Sequence, residues 1–201
     1  MIDISCQSVK KKEIQKFARY EFKYLLNKKL SDVIEGEVQY FMSYDGHVHP
    51  ELGNRYFVRS LYFDNFIYSN FFEKVDGIRK RGKYRIRTYS QEDNLKTPVF
   101  LEEKGRTNER TYKLRTMIKR GHLNYFLQPN SNSRALLEQY PDNELVEEFV
   151  FASIRKKLKP RVLVDYNRRP YISDYGLYFR LTFDSHILST RTNNLYPTVG
   201  N

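Results

Sequence analysis

Long parts of the chain alternate between polar and apolar residues with a period of two. Between Ile78 and Tyr89, IRKRGKYRIRTY, the cations Arg79, Arg81, Lys83, Arg85 and Arg87 occupy every second position, opposite Tyr84, Ile86 and Thr88. Successive side chains of a β-strand point to opposite faces, so this stretch predicts a strand with one wholly cationic side. Less pure alternation predicts further strands at KFARYEFKYLL, with Arg19, Glu21 and Lys23 opposite Tyr20, Phe22 and Tyr24, and at RYFVRSLYFDN. In PVFLEEKGR, Glu102 and Lys104 share a face with Phe100; in RTYKLRTMI, Lys113 and Arg115 lie opposite Tyr112 and Leu114. KPRVLVDYNRRPYISD and LYFRLTFDSHI form a last pair, joined across Asp174 to Gly176.

Elsewhere the period is near 3.6. LSDVIEGEVQYFMSYD predicts a helix with Ser31 as N-cap and a stripe of Val33, Ile34, Val38, Phe41 and Met42. IYSNFFEKVDG reads as a short helix or turn. KRGHLNYFL, SRALLEQY and ELVEEFVFASIRKKL read as helices, the last with Leu145, Val146, Phe149, Val150 and Ile154 on one side. Loops are expected over Asp45 to Asn54, at Asp76-Gly77 and from Gln91 to Pro98.

About seven strands with mostly short connections imply antiparallel pairing and an α+β fold. Because the charged faces recur opposite apolar ones, helices are expected to cover the apolar side while the charged faces meet across the wet lumen of an antiparallel β-barrel. The strand RVLVDYNRR fits less well, since Arg168 shares its face with Val162, Val164 and Tyr166.

The net charge of +11 over 201 residues points to an anionic partner: nucleic acid, an acidic membrane surface, or phosphate-rich molecules. A nucleic-acid binder would carry its charges and aromatics outside, and the aromatics fall mostly on the face opposite the charges, so none is expected. The single Cys6 excludes an internal disulfide and fits a reducing, cytoplasmic setting. No stretch is apolar for long enough to span a membrane, although a basic chain could lie against an anionic one. His47-Val48-His49 is the nearest approach to a metal spacing, and no phosphate-binding glycine loop occurs. Glu21, Glu102 and Asp184, on the charged faces, suit salt bridges or a divalent cation.

Eight motifs in order, RYEFKY, SLYFDN, EKVDG, KYRIRTY, VFLEEKG, YKLR, YNR and FRLTFD, resemble the VTC domain, the polyphosphate polymerase domain of the triphosphate tunnel metalloenzymes. The resemblance implies a tunnel enzyme that moves the γ-phosphoryl group of ATP onto a growing polyphosphate chain with manganese or magnesium. It implies substrate-binding roles for Lys23, Lys74, Arg85, Arg87, Lys104, Lys113, Arg168 and Arg180, to which the alternation adds Lys83, with Arg85, Arg87 and Lys104 at the reacting phosphates. Nothing after Ile187 matches the family's metal-binding glutamate, so one tunnel domain over residues 1–201 lacking the family's C-terminal strand and helix is expected. Glu102 and Glu21 are the substitutes available as metal ligands. A catalytically inactive tunnel holding polyphosphate or inositol phosphates and a triphosphatase are the alternative activities.

Overall fold

The computed structural model describes residues 17–46, 48, 50–94, 96–173 and 179–197. In chain order its elements are β1 (Phe17–Arg19), α1 (Lys28–Val38), β2 (Met42–Tyr44), β3 (Tyr56–Asp64), α2 (Ser69–Val75), β4 (Lys80–Thr88), β5 (Phe100–Thr107) and β6 (Arg110–Met117). Then come α3 (Leu123–Leu127), α4 (Ser133–Gln139), α5 (Glu144–Lys156), β7 (Lys159–Ser173) and β8 (Arg180–Arg191).

Every pairing is antiparallel, and β1, β6, β5, β4, β3 and β7 lie side by side in that order. Ile172 of β7 pairs with Ser43 of β2 and with Arg180 of β8, so β2 and β8 flank β7 on opposite edges and β2 continues the line of β3. The sheet curls into a half-barrel with helices around it, the expected α+β tunnel architecture.

The apolar face of the sheet supplies Leu61, Phe63, Tyr84, Ile86, Leu101 and Leu163 to the core. Helices α3, α4 and α5 close that core with Phe126, Leu136, Leu145, Val146, Phe149 and Val150. Phe149 is its pivot, meeting Phe63 and Tyr84 edge-on with ring centroids 5.1 and 5.3 Å away. The α5 stripe forms here as its periodicity predicts, except that Ile154 faces solvent. On the same outer side Tyr112 lies across Gly105, where a Cβ would come within 2.0 Å of the tyrosine ring. Glycine is required there because no side chain fits between strand and ring.

Four expectations are corrected. Helix α1 starts at Lys28, not after Ser31: the Asn27 side chain accepts a hydrogen bond from the Leu30 amide and is the N-cap. Its apolar stripe is not a core face, because Val33 is exposed and the buried residue is Glu35, while Met42 belongs to β2. The first strand ends at Arg19, where its partner β6 runs out, so Glu21 and Lys23 lie beyond it. The aromatics are not confined to the apolar side, since Tyr62 and Tyr166 stand on the charged face. The join across Asp174 to Gly176 and the pair His47 and His49 lie outside the described residues.

Candidate functional site

Strand register turns the basic alternation into transverse rungs on the inner face. Lys83 of β4, Lys104 of β5 and Lys113 of β6 are direct partners and form a row of three lysines. The next rung inward is Tyr62, Arg85, Glu102 and Arg115, and the one after it Ser60, Arg87 and Phe100. Further round, Tyr56 pairs with Arg168 and Arg168 with Asp184. This register accounts for the strand whose face looked mixed: Val162 and Val164 sit opposite Tyr62 and Ser60 and give the inner wall an apolar strip beside Arg168.

Glu102 is the hub. It is fully buried, and its carboxylate accepts from Arg85 Nε at 2.8 Å on one oxygen and from Arg115 Nε at 2.7 Å on the other. Arg87 Nε and Lys113 Nζ stand 3.8 and 4.0 Å away. Burial pushes this carboxyl up, but Arg85, Arg87, Arg115 and Lys113 outweigh it and hold it down to about 2.

Phenols hold the outer ends of the arginines. Arg85 Nη1 donates to the Tyr62 hydroxyl at 2.8 Å, Arg87 Nη2 to the Tyr166 hydroxyl at 3.0 Å, and Arg115 donates to Tyr89. Arg87 Nε also donates to Ser60 Oγ at 3.0 Å. Planar guanidinium groups fixed in this way are pre-oriented to present their remaining N–H groups to an oxyanion. Burial raises the Tyr62 phenol, but Arg85 and Arg87 overcome it and bring it to about 8.

The lysine rung is organised differently. Lys104 donates to both oxygens of Glu21, the nearer at 2.6 Å, and the largely exposed Lys23 lies 3.6 Å from the same carboxylate. Burial depresses Lys83, Lys104 and Lys113, reinforced by their cationic neighbours, and takes Lys113 to about 8. Like charges directly opposite across strands are destabilising, and here Glu21 beside Lys104 and Glu102 near Lys113 offset part of that repulsion.

Of the remaining sequence candidates, Arg168 makes a two-pronged pair with Asp184 at 2.7 and 2.6 Å, and Arg180 pairs with Asp45 at 2.7 Å. Lys74, in the last turn of α2, is exposed and near enough to help depress Lys83. The structure thus brings Lys83, Arg85, Arg87, Lys104 and Lys113 together, sets Arg168 and Arg180 on the adjoining wall, and leaves Lys23 and Lys74 at the rim. Sequence reasoning passed over Arg115 and the anchoring Tyr62, Tyr89 and Tyr166. The alternation of Lys113 and Arg115 carried a signal for the first; the tyrosines needed the register.

The wall runs between two clefts. One, of about 420 Å³, is lined by Arg79, Arg81, Arg106 and Asn108. The other, of about 370 Å³, is lined by Tyr56, Phe57, Tyr89 and Asn167 with Arg55 and Gln91.

As divalent-metal ligands these residues fit poorly. Each oxygen of Glu102 is already bound by an arginine, Glu21 is held by Lys104, and among the described residues no three His, Cys, Asp or Glu side chains converge. Hard cations need several oxygen donors, which this wall does not itself assemble.

The model of the VTC domain family matches residues 18–199. No curated protein matches the chain. A crystal structure of a candidate adenylate cyclase from Bacillus halodurans is similar over 89% of this chain and 80% of that one, at 10% identity and a TM-score of 0.42.

Proposed function

The chain belongs to the VTC domain family, and from that membership we propose that it is a phosphotransferase of the polyphosphate polymerase type. The observation that carries this reading is the inner wall, where a row of three lysines adjoins arginines already locked in place by Glu102 and phenols. In the transfer, a terminal oxygen of the phosphate chain attacks the γ-phosphorus of ATP. The bond from that phosphorus to the β-bridging oxygen breaks, and ADP leaves. Such chemistry asks the protein for position and charge neutralisation rather than for a covalent partner.

In this reading Arg85 and Arg87 hold the equatorial oxygens of the transferred group, and Lys104 meets charge that develops on the leaving side. Lys83 and Lys113 bind neighbouring phosphates of the chain, and Arg168 and Arg180 those further along. Lys23 and Lys74 attract the polyanion at the rim. The aromatic cleft takes the nucleoside end of ATP, and the arginine cleft takes the emerging chain. Tunnel metalloenzymes generally use a divalent metal; here most of its ligands would come from phosphate oxygens and water. A cytoplasmic setting, where ATP is abundant, belongs with this reading.

The test is incubation of the purified chain with ATP and manganese, with and without a short polyphosphate primer, followed by a gel stained for polyphosphate. A ladder that disappears in Arg85→Ala/Arg87→Ala is expected; a ladder that persists in that variant overturns the assignment of these arginines. Glu102, consumed by ion pairs instead of facing a metal, favours as second reading a tunnel that holds polyphosphate or inositol phosphates without turnover. Calorimetric binding of polyphosphate with no ladder and no phosphate release, under any divalent metal, would select it. Phosphate release from triphosphate without a ladder would identify a triphosphatase.

A further inference from the structure

Helix α2 is inverted. Its buried residue is Asn70, whose Nδ2 donates to the Phe63 carbonyl at 3.0 Å and whose amide donates to Asp64 Oδ1. Its apolar residues point away from the protein: Phe71, Phe72 and Val75 are 55, 52 and 64% exposed, and the approach to the helix adds Phe66 at 81% and Ile67 at 60%. Surface helices of globular proteins bury the apolar side, and an aromatic cluster turned to water marks a surface that meets something else.

The surroundings identify the occupant. Asp76 caps the helix and, past Gly77, Ile78, Arg79 and Lys80 follow; Arg161 lies over the Tyr68 ring at 5.9 Å, and Lys156 at the end of α5 reaches Glu73 at 3.1 Å. Lys157 is exposed beside it, and Lys159 pairs with Asp64 at the base of α2. Set against Glu73, Asp76 and Asp64, the cations Lys74, Arg79, Lys80, Lys156, Lys157, Lys159 and Arg161 leave the rim with a net positive charge. A second copy of the chain docked on this surface by a two-fold axis would bring the same cations against each other. Phe66 and Ile67 protrude instead of lining a groove, so the surface has the form of a wedge. Apolar wedges ringed by lysine and arginine are suited to an anionic lipid leaflet, where rings enter the acyl boundary and cations meet headgroup phosphates.

We propose that α2 and the residues leading into it, Phe66 to Val75, dock the protein on an anionic bilayer surface. The contact proposed is with one leaflet, and no helix among the described residues is long and apolar enough to cross a membrane. The docking face adjoins the inner wall at Lys74 and Arg79, while its apolar residues Phe66, Ile67, Phe71, Phe72 and Val75 are exposed to solvent.

The chain has no tryptophan, which makes Phe66→Trp a single reporter. With excess tripolyphosphate present to fill the inner wall, its emission is expected to shift to the blue on adding vesicles of equal parts phosphatidylcholine and phosphatidylglycerol. No shift is expected with phosphatidylcholine alone. In vesicle sedimentation, Phe66→Ser/Phe71→Ser is expected to bind about tenfold more weakly than the wild type at an unchanged melting temperature. Lys157→Glu/Lys159→Glu is expected to lose most of the binding as well. The proposal is overturned if the tryptophan does not shift, or if the serine variant binds as tightly as the wild type, which would mean charge attraction alone. It is also overturned if, without lipid, the wild type dimerises in analytical ultracentrifugation and the serine variant does not.

Discussion

Glu102 shows how one residue can set the character of a site. Completely buried between Arg85 and Arg115, it offsets part of a charge that would otherwise open the sheet. Glu102→Gln leaves the buried Arg85 and the half-buried Arg115 without their anion, and a loss of about 3–5 kcal/mol in urea unfolding is expected. Its folded pKa lies below the unfolded value, so its contribution is present above about pH 4.5 and is lost as pH falls toward 2. Acid unfolding of the wild type should therefore steepen in that window, and the glutamine variant should lack that part of the curve. A second pH effect belongs to binding. Lys113 loses its proton and Tyr62 becomes a phenolate near pH 8, so the wall becomes less positive above that value. Calorimetry at rising pH should show tripolyphosphate affinity falling through this range; a flat profile would remove both groups from contact with the phosphates.

At this scale the cations were legible in the sequence, because alternate spacing on a strand fixes which side each one faces. Their anchors were not. Arg87 meets Tyr166 across 79 residues of chain and Arg85 meets Tyr62 across 23, and such partners exist only once β3, β4 and β7 are aligned. The nomination of Glu102 as a metal ligand rested on its being a carboxylate on the charged face; the register gives both of its oxygens to arginines.

Among the elements, β4 and β5 were readable because their period-two pattern is long and its two faces differ sharply. β2 is a three-residue strand, too short to show any period. The apolar spacing of α1 was real, but burial did not follow it: Val33 is exposed, so periodicity misidentified the face that packs and misplaced the cap. The β5–β6 hairpin adds a constraint invisible to periodicity, the seat of Tyr112 on Gly105. Gly105→Ala should cost about 1–3 kcal/mol through displacement of that ring. The companion Tyr112→Ala in the same background should recover part of the loss in thermal melts, whereas additive losses would show that the ring contact is not the cause.

For the whole molecule, the excess positive charge read from composition is not spread evenly. The structure gathers much of it on the inner wall, between an arginine-lined cleft and an aromatic one, and helices cover the opposite face. The lysine rung sets like charges opposite one another across three strands and, in the proposed function, is the part that grips phosphate. Stability and binding should therefore move in opposite directions when it is changed. The most direct test is the double variant Lys83→Ala/Lys113→Ala, followed by thermal melting and by titration with tripolyphosphate. A melting temperature equal to or above that of the wild type, together with tripolyphosphate binding weakened by about tenfold or more, is the expected result. Wild-type affinity in the variant would contradict the account, because the rung would then be an ordinary sheet surface with no part in holding phosphate.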